Sequence, residues 1–283
     1  MAAPIGTPSY TESPMRIDRD LIARLGTSAA AVEVATAAAY VALDPADPAR
    51  TQAFGRGAAV ALGPRRWVNR ALGVDVDALD DDAFDQLESF FERSATPSAL
   101  EVSSWTGPDT LQGLGRRGYR SQWFRALFVR DTATPGRDPR RSRGDVPGIV
   151  PVGDDDIDEW GAVFVAGFAI ADADMAMVRT HVRAVAGADG ARHFVARVDG
   201  QAAACGSLHE SAGIGWLGGA ATRPEVRGAG HQRELIDHRI GQARERGLDL
   251  VAATALVGGA SARNLCRAGF EQVDTQVVMA RPE

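Results

Sequence analysis

The sequence predicts an α/β protein built from two related halves, and three observations carry that prediction. First, Ala220-Ala-Thr-Arg-Pro-Glu-Val-Arg227-Gly-Ala-Gly230-His-Gln232 reads as a strand end, a Gly-rich turn and a helix start. Second, Asp199-Gly200 separates two strand-like runs, His193–Val198 and Ala202–Leu208, and Asp-Gly is a strong hairpin signal. Third, Leu114-Gly-Arg116-Arg-Gly118-Tyr119 matches Leu265-Cys-Arg267-Ala-Gly269-Phe270 in type and spacing. Both stretches sit in the same helix-strand-helix-strand order, which makes duplication the better account than chance.

In the second half, Ile149–Val152 is a short strand, followed by a helix from a cap at Asp154–Asp156 to about Phe168 and another over Asp172–Ala186. The hairpin strands come next, then a strand over Ile214–Thr222. The helix over Gly230–Arg246 stops at Gly247, where a glycine relieves the left-handed residue after a helix end. Leu250–Leu256 is β-rich, Ala260–Ala268 is a short helix closed by Gly269, and Phe270–Ala280 supplies one or two strands. The first half carries a partial copy: a helix over Asp80–Arg93, a strand over Ala99–Ser103, a helix over Pro108–Arg117 and a strand over Ser121–Arg130. Three prolines and two glycines break any period across 131–147. The expected division is therefore a loose tail over 1–14, a first domain over 15–135, a linker over 136–147 and a second domain over 148–283.

Composition narrows the function classes. The chain is 45% hydrophobic and 24% charged, which is globular composition, and its net charge of −6 argues against a nucleic-acid binder. Every one of its 31 basic residues is Arg, so it offers no side-chain ammonium of its own for acylation. Cys205 and Cys266 make no disulfide framework and read as two buried thiols. No metal-ligand pattern stands out. No apolar run looks long enough to span a membrane, and the first fourteen residues do not look like a signal peptide, so the expected setting is cytoplasmic.

The Gly-rich turn has the chemistry of an anion site. Glycines admit close approach of the backbone, first-turn N–H groups of a helix point outward, and the helix dipole favours negative charge there. Arg227 adds a fixed cationic fork. The corresponding stretch of the first half, Gly73-Val-Asp75-Val-Asp77-Ala-Leu-Asp80-Asp81-Asp82, carries five carboxylates instead. They satisfy a helix start themselves and repel phosphate, so the first half is expected to hold no such ligand.

These residues resemble the GNAT superfamily of acetyl-CoA-dependent N-acetyltransferases. That family's mark, Arg/Gln-x-x-Gly-x-Gly/Ala, stands here as Arg227-Gly-Ala-Gly230-His-Gln232, with Gln in the last place. A second mark is a short helix ending in Gly-Phe, here Ser261 to Phe270. The resemblance covers 147–283, and the first half is similar to the degenerate GNAT-like domain of two-domain members. It implies an α+β fold, with a mixed, largely antiparallel twisted sheet flanked by helices in each of two tandem domains. It also implies acetyl-CoA as donor and CoA as product. The main chain of Ala220, Ala221 and Thr222 would pair with the pantetheine arm. Arg227, Gly228, Ala229, Gly230, His231 and Gln232 would hold the pyrophosphate, with His231 acting through its backbone. Ser261 and Asn264 would lie beside the pantetheine and the thioester.

For the chemistry, an amine attacking a thioester needs a donor for the carbonyl oxygen and a base for its own proton. Many family members carry a Glu on the fourth strand, but Ile214–Thr222 has no carboxylate. Glu210 and His209 at the end of the preceding strand are the nearest substitutes, and a solvent-exposed hairpin end is the plainer account of both. Asn264 is the third catalytic candidate. Where the family often has Tyr, this chain has Leu265; Cys266 or water then remains to protonate the leaving thiolate. Trp67, Trp105, Trp123 and Tyr119 are core residues or walls of an acceptor cleft. The expected activity is direct transfer of acetyl from acetyl-CoA to an amine of a small molecule or peptide, in a monomer or homodimer, without nucleic acid or membrane. Its rivals are a non-catalytic acyl-CoA sensor or interaction module and, lacking a P-loop Gly-Lys-Ser/Thr, a nucleotide-binding protein.

Overall fold

The computed structural model describes residues 15–74, 79–134, 148–153 and 156–282. The first half supplies helix α1 (Arg19–Leu43), strands β1 (Arg50–Phe54), β2 (Gly57–Ala61) and β3 (Asn69–Leu72), helix α2 (Asp81–Arg93), β4 (Ala99–Ser103), α3 (Pro108–Arg116) and β5 (Arg120–Asp131). The second half supplies β6 (Gly148–Val152), α4 (Ile157–Phe168), α5 (Met175–Ala186), β7 (Ala191–Val198), β8 (Gln201–Ser211), β9 (Ile214–Thr222), α6 (His231–Glu245), β10 (Leu250–Leu256), α7 (Ala260–Arg267) and β11 (Glu271–Ala280). The elements expected from the sequence are present with ends shifted by up to three residues, and Phe270–Ala280 forms one strand.

All 11 strands join a single mixed sheet in the order β1-β2-β3-β4-β11-β5-β10-β9-β8-β7-β6. Only β3–β4 and β9–β10 are parallel; the other pairs are antiparallel. The halves exchange their last strands. β5 pairs with β10 of the second half from Asp131↔Leu250 to Arg125↔Leu256. β11 returns to β4 of the first half from Gln276↔Ser103 to Ala280↔Ala99. β5 and β11 then pair with each other along the centre. The expected linker at 136–147 lies outside the described residues, but the sheet itself has no seam where the chain divides.

The repeat is visible in the backbone. Tyr119 N–H donates to Leu114 C=O at 3.0 Å and Phe270 N–H to Leu265 C=O at 3.1 Å. Gly118 and Gly269 sit at φ 81° and 82°. Each short helix thus ends in the same 6→1 bond before its exchanged strand. In the hairpin, Asp199 and Gly200 both take positive φ, 49° and 77°, as a type I′ turn requires.

Helix α1 was not foreseen. By length and composition it is apolar enough to cross a membrane, which corrects the expectation that no such run exists. Its apolar side chains are divided between two cores, with Ala30, Ala37 and Tyr40 in one and Ile22 and Leu25 in another. Polar ties fix it to the second half. Arg24 forms a two-pronged pair with Asp249 at 2.7 and 2.8 Å. Ser28 donates to Ser211 C=O at 2.8 Å and accepts from the Trp216 indole at 2.8 Å.

Candidate active site

Two parallel strands begin side by side and then part. β9 and β10 are in register at Ile214↔Leu250, Gly215↔Val251 and Trp216↔Ala252, and no further. Beyond Trp216, β9 stays with β8 while β10 stays with β5. The cause lies within β9: Gly219 and Ala220 together oppose the single residue Gly206, a bulge that bends the strand away. Gly219 has φ 55°, and a Cβ there would lie 2.6 Å from the Trp160 ring and 2.9 Å from Ser207 Oγ. Neither backbone nor space tolerates a side chain at this position.

A buried cation holds the bulge from below. Arg239 of α6 is 1% exposed and donates to Leu235 C=O and Ser207 C=O at 3.0 Å and to Gly218 C=O at 3.3 Å. Burial lowers its pKa to about 10, still protonated at neutral pH. The sequence reading missed it because one Arg on an amphipathic helix looks like solvated surface; only the fold turns it inward.

At the wide end of the gap lies the Gly-rich turn. Gly228 and Gly230 have φ 85° and 96°, and a Cβ at either would meet nothing within 4 Å. The first helical amides already bonded are Arg233 and Glu234, both to Gly230 C=O. Among the described residues, the N–H groups of Gly228, Ala229, Gly230, His231 and Gln232 have no acceptor. Five consecutive amides are therefore unpartnered at a helix N-terminus, with the exposed Arg227 beside them. Arg227 donates to Gly167 C=O at 2.6 Å and Thr222 C=O at 3.3 Å, two main-chain acceptors. These residues fit a diphosphate.

Gln232 departs from the family pattern for a structural reason. Its side-chain amide turns inward to Ala221 C=O at 2.8 Å and Cys205 C=O at 3.3 Å, bracing the end of β9. His231 is also turned in, 7% exposed with Nδ1 unpartnered, which leaves its main-chain N–H for the turn. Ala220, Ala221 and Thr222 line the parted edge. Ser261 and Asn264 share one face of α7, just after the end of β10; Ser261 is exposed and Asn264 half-buried, accepting from Arg267 at 3.2 Å.

The catalytic candidates separate. Side chains alternate along a strand, so His209 and Glu210 point to opposite faces of β8. Glu210 faces α6, where Arg246 takes its carboxylate at 2.7–2.8 Å. It sits at the far end from the turn, and the structure removes it as a base in the cleft. His209 faces the cleft and is 7% exposed; burial lowers its pKa to about 4, so it is neutral at pH 7. Leu265 is 3% exposed in the core and offers no proton. Of the two thiols expected to be buried, Cys205 is, with its pKa pushed up to about 12 by burial, while Cys266 is exposed.

A cleft of about 280 Å³ opens beside the parted strands, against Leu217, Gly218 and Gly219 of β9 and Thr254 of β10. Trp160, Phe164 and Phe168 form an aromatic row along α4, with ring centroids 5.3 and 4.6 Å apart. Trp67, from the first half, closes the row at 5.8 Å from Phe164 and 4.8 Å from His181. Of the four aromatics weighed as wall or core, Trp67 is a wall; Tyr119 is core, bonded to Ser98 at 2.6 Å. The remaining wall is α1, through Ala29, Val32, Glu33 and Thr36, spaced to share one helix face. Among the described residues, Glu33 is the only carboxylate on the cleft. Its pKa is raised by its depth, partly opposed by Arg70 and Arg125.

The corresponding place in the first half is closed. β3 and β4 meet in register only at Ala71↔Leu100. Beyond that, α1 packs into the space: a Cβ on Gly73 would lie 2.4 Å from Gly26 C=O. The cavity left there is about 30 Å³. Arg70, Glu101 and Arg125 form a buried ion cluster nearby, with Arg70 3.3 Å from Glu101. Asp80 caps α2 through Ala83 N–H at 2.8 Å, as its position in the sequence suggested. Asp75 and Asp77 lie outside the described residues.

Residues 162–270 match the model of the acetyltransferase (GNAT) family. None of the curated proteins compared matches the sequence. Among solved structures, a GCN5-related N-acetyltransferase from Kribbella flavida is 16% identical, covering 88% of this chain and 96% of that one at a TM-score of 0.61. One from Sphaerobacter thermophilus is 17% identical over 71% and 67%, at 0.52. A tandem GNAT protein from the clavulanic acid biosynthesis pathway is 16% identical over 71% and 70%, at 0.53. At these identities the likeness is one of fold, and it extends to the tandem arrangement.

Proposed function

We propose that the protein is a cytoplasmic, acetyl-CoA-dependent N-acetyltransferase that moves the acetyl group directly to an amine of a small molecule or peptide. The observation that carries this reading is the parting of β9 from β10 with five unpartnered amides at its wide end. The amides of 228–232 and Arg227 would bind the pyrophosphate, and the free edge of Ala220–Thr222 would align the pantetheine. That arrangement points the thioester at the aromatic cleft, where main-chain N–H groups of the bulged strand are the donors available to the carbonyl oxygen as charge develops. Acetyl-CoA supplies the acyl group and a thiol leaving group whose pKa of about 8.5 makes thiolate tolerable near neutral pH without a dedicated acid.

The buried Leu265 favours a second reading, an acyl-CoA sensor without turnover. Titration calorimetry with acetyl-CoA, CoA and ATP tests the ligand class, and thiol release against an amine panel separates enzyme from sensor. Tight binding of ATP with none of CoA would sink both readings.

A further inference from the structure

The cleft beside the parted strands has a definite chemical character. Its volume, about 280 Å³, is nearly twice the ~150 Å³ at which an apolar cavity accepts benzene. Its walls are the rings of Trp67, Trp160, Phe164, Phe168 and Trp216. Its charged groups are two. Arg125 is engaged: it is paired with Glu101 and donates to Gln276 at 3.0 Å. Glu33 lines the cleft half-buried and has no hydrogen bond or ion pair among the described residues.

Resting on the acetyltransferase reading, we propose that the acceptor is a compact primary amine on an aromatic or bicyclic apolar body, and that Glu33 of the first half receives its ammonium and takes its proton. The aromatic row holds the body by stacking and the cleft excludes water. A cation is drawn to the one unpaired carboxylate on the wall.

The step balances as follows. Glu33 carboxylate accepts a proton from R–NH₃⁺ and becomes the neutral acid. The nitrogen lone pair attacks the thioester carbonyl carbon; the C–N bond forms and the C–S bond breaks. The departing thiolate takes the second nitrogen proton to become CoA–SH, and Glu33 returns its proton to solvent.

His209 and His181 also line the cleft, but burial lowers both to about 4 and leaves them weak bases. A carboxylate raised by depth lies nearer the working pH, which is where a general base is most effective. The groups facing Glu33 set the balance: Arg70 and Arg125 lower it, Glu101 raises it, and desolvation exceeds all three. The Tyr40 phenol, pushed up to about 12 by burial, is neutral. Glu33 stands firm because Arg24 and Ser28 fix α1 to β10 and the β8–β9 hairpin.

The test uses the full chain, acetyl-CoA and four amines: phenethylamine, tryptamine, spermidine and an unblocked tripeptide, read by thiol release. The expected result is a kcat/KM for an aromatic amine at least about 10-fold above spermidine and the tripeptide. Glu33→Gln lowers kcat by about 10²–10⁴-fold and removes the acidic limb of the kcat–pH profile. Glu33→Asp keeps that limb. Both variants bind acetyl-CoA as the wild type does and melt no earlier, since Gln relieves a desolvated charge. A wild-type pH profile in Glu33→Gln, preference for spermidine or the tripeptide, or binding of acetyl-CoA with turnover of no amine overturns the inference. Failure of the wild type to bind acetyl-CoA overturns the functional reading instead.

Discussion

The chain contains the same strand–turn–helix unit twice, and only one copy is open. In the second half, β9 leaves β10 after Trp216, and the turn before α6 presents bare amides. In the first half, the space past β3 and β4 is filled by α1, and α2 is capped by Asp80. The difference lies in which groups satisfy a helix start. Glycine and Arg leave the amides for a ligand; aspartate consumes them. The closed copy still contributes, because α1 and Trp67 become walls of the open copy's cleft. The first half thus shapes the cleft of the second.

The comparison breaks most severely at the bulge. Gly219→Ala sets a methyl against Trp160 and Ser207 in a left-handed backbone, and is expected to cost about 2–4 kcal/mol of stability. Acetyl transfer should fall on the order of 10²-fold, because a misplacement of about 1 Å at the reacting centre costs that much. A denaturant melt and a turnover assay check both, and unchanged turnover would mean that the parting of the strands is not where chemistry happens.

A smaller effect sharpens the contrast between the two turns. Arg227→Ala should weaken CoA binding about 10–100-fold, the worth of a charge-assisted hydrogen bond. Stability should stay within about 0.5 kcal/mol, as the side chain is exposed. Calorimetry reads the first and a thermal melt the second. Asp80–Asp82 reversed in charge should leave CoA affinity as it was; the opposite pattern would put the ligand in the first half.

Acid should weaken the open half through its histidines. His181, His193 and His209 have pKa values lowered by burial to about 4, below the ~6.5 of an unfolded chain. The unfolded state binds more protons in that window. Stability is complete above about pH 6.5 and is lost as pH falls toward 4, by up to about 1.4 kcal/mol per pH unit for each histidine. Melting curves across pH 4–7 measure this, and His209→Gln should flatten the slope. The smallest change is Asp80→Ala, which removes a helix cap for about 1 kcal/mol and leaves CoA binding alone.

What the sequence made legible was local. Ile214–Thr222 and Leu250–Leu256 were read to the residue, because bounding turns and apolar runs carry strand signals. Asp199-Gly200, Gly247 and Gly269 marked their turns through positive φ. The turn over 227–232 was readable because glycines beside an Arg at a helix start have few other uses. Glu210 lies apart from the cleft that His209 lines because a period of two sends them to opposite faces. Glu33 was missed because the part of α1 around it is mostly Ala and Val, with no sharp stripe to separate cleft from core.

By itself the chain fixed its repeated helix ends, its turns and the Gly-rich segment before α6, since each depends on contacts within a few residues. The exchange of β5 and β11, the bracing of the bulge by Arg239 and the meeting of Glu33 with the parted strands were decided only by tertiary packing. Such pairings join residues far apart in sequence, and their free energy comes from burial and strand partners that no local pattern encodes.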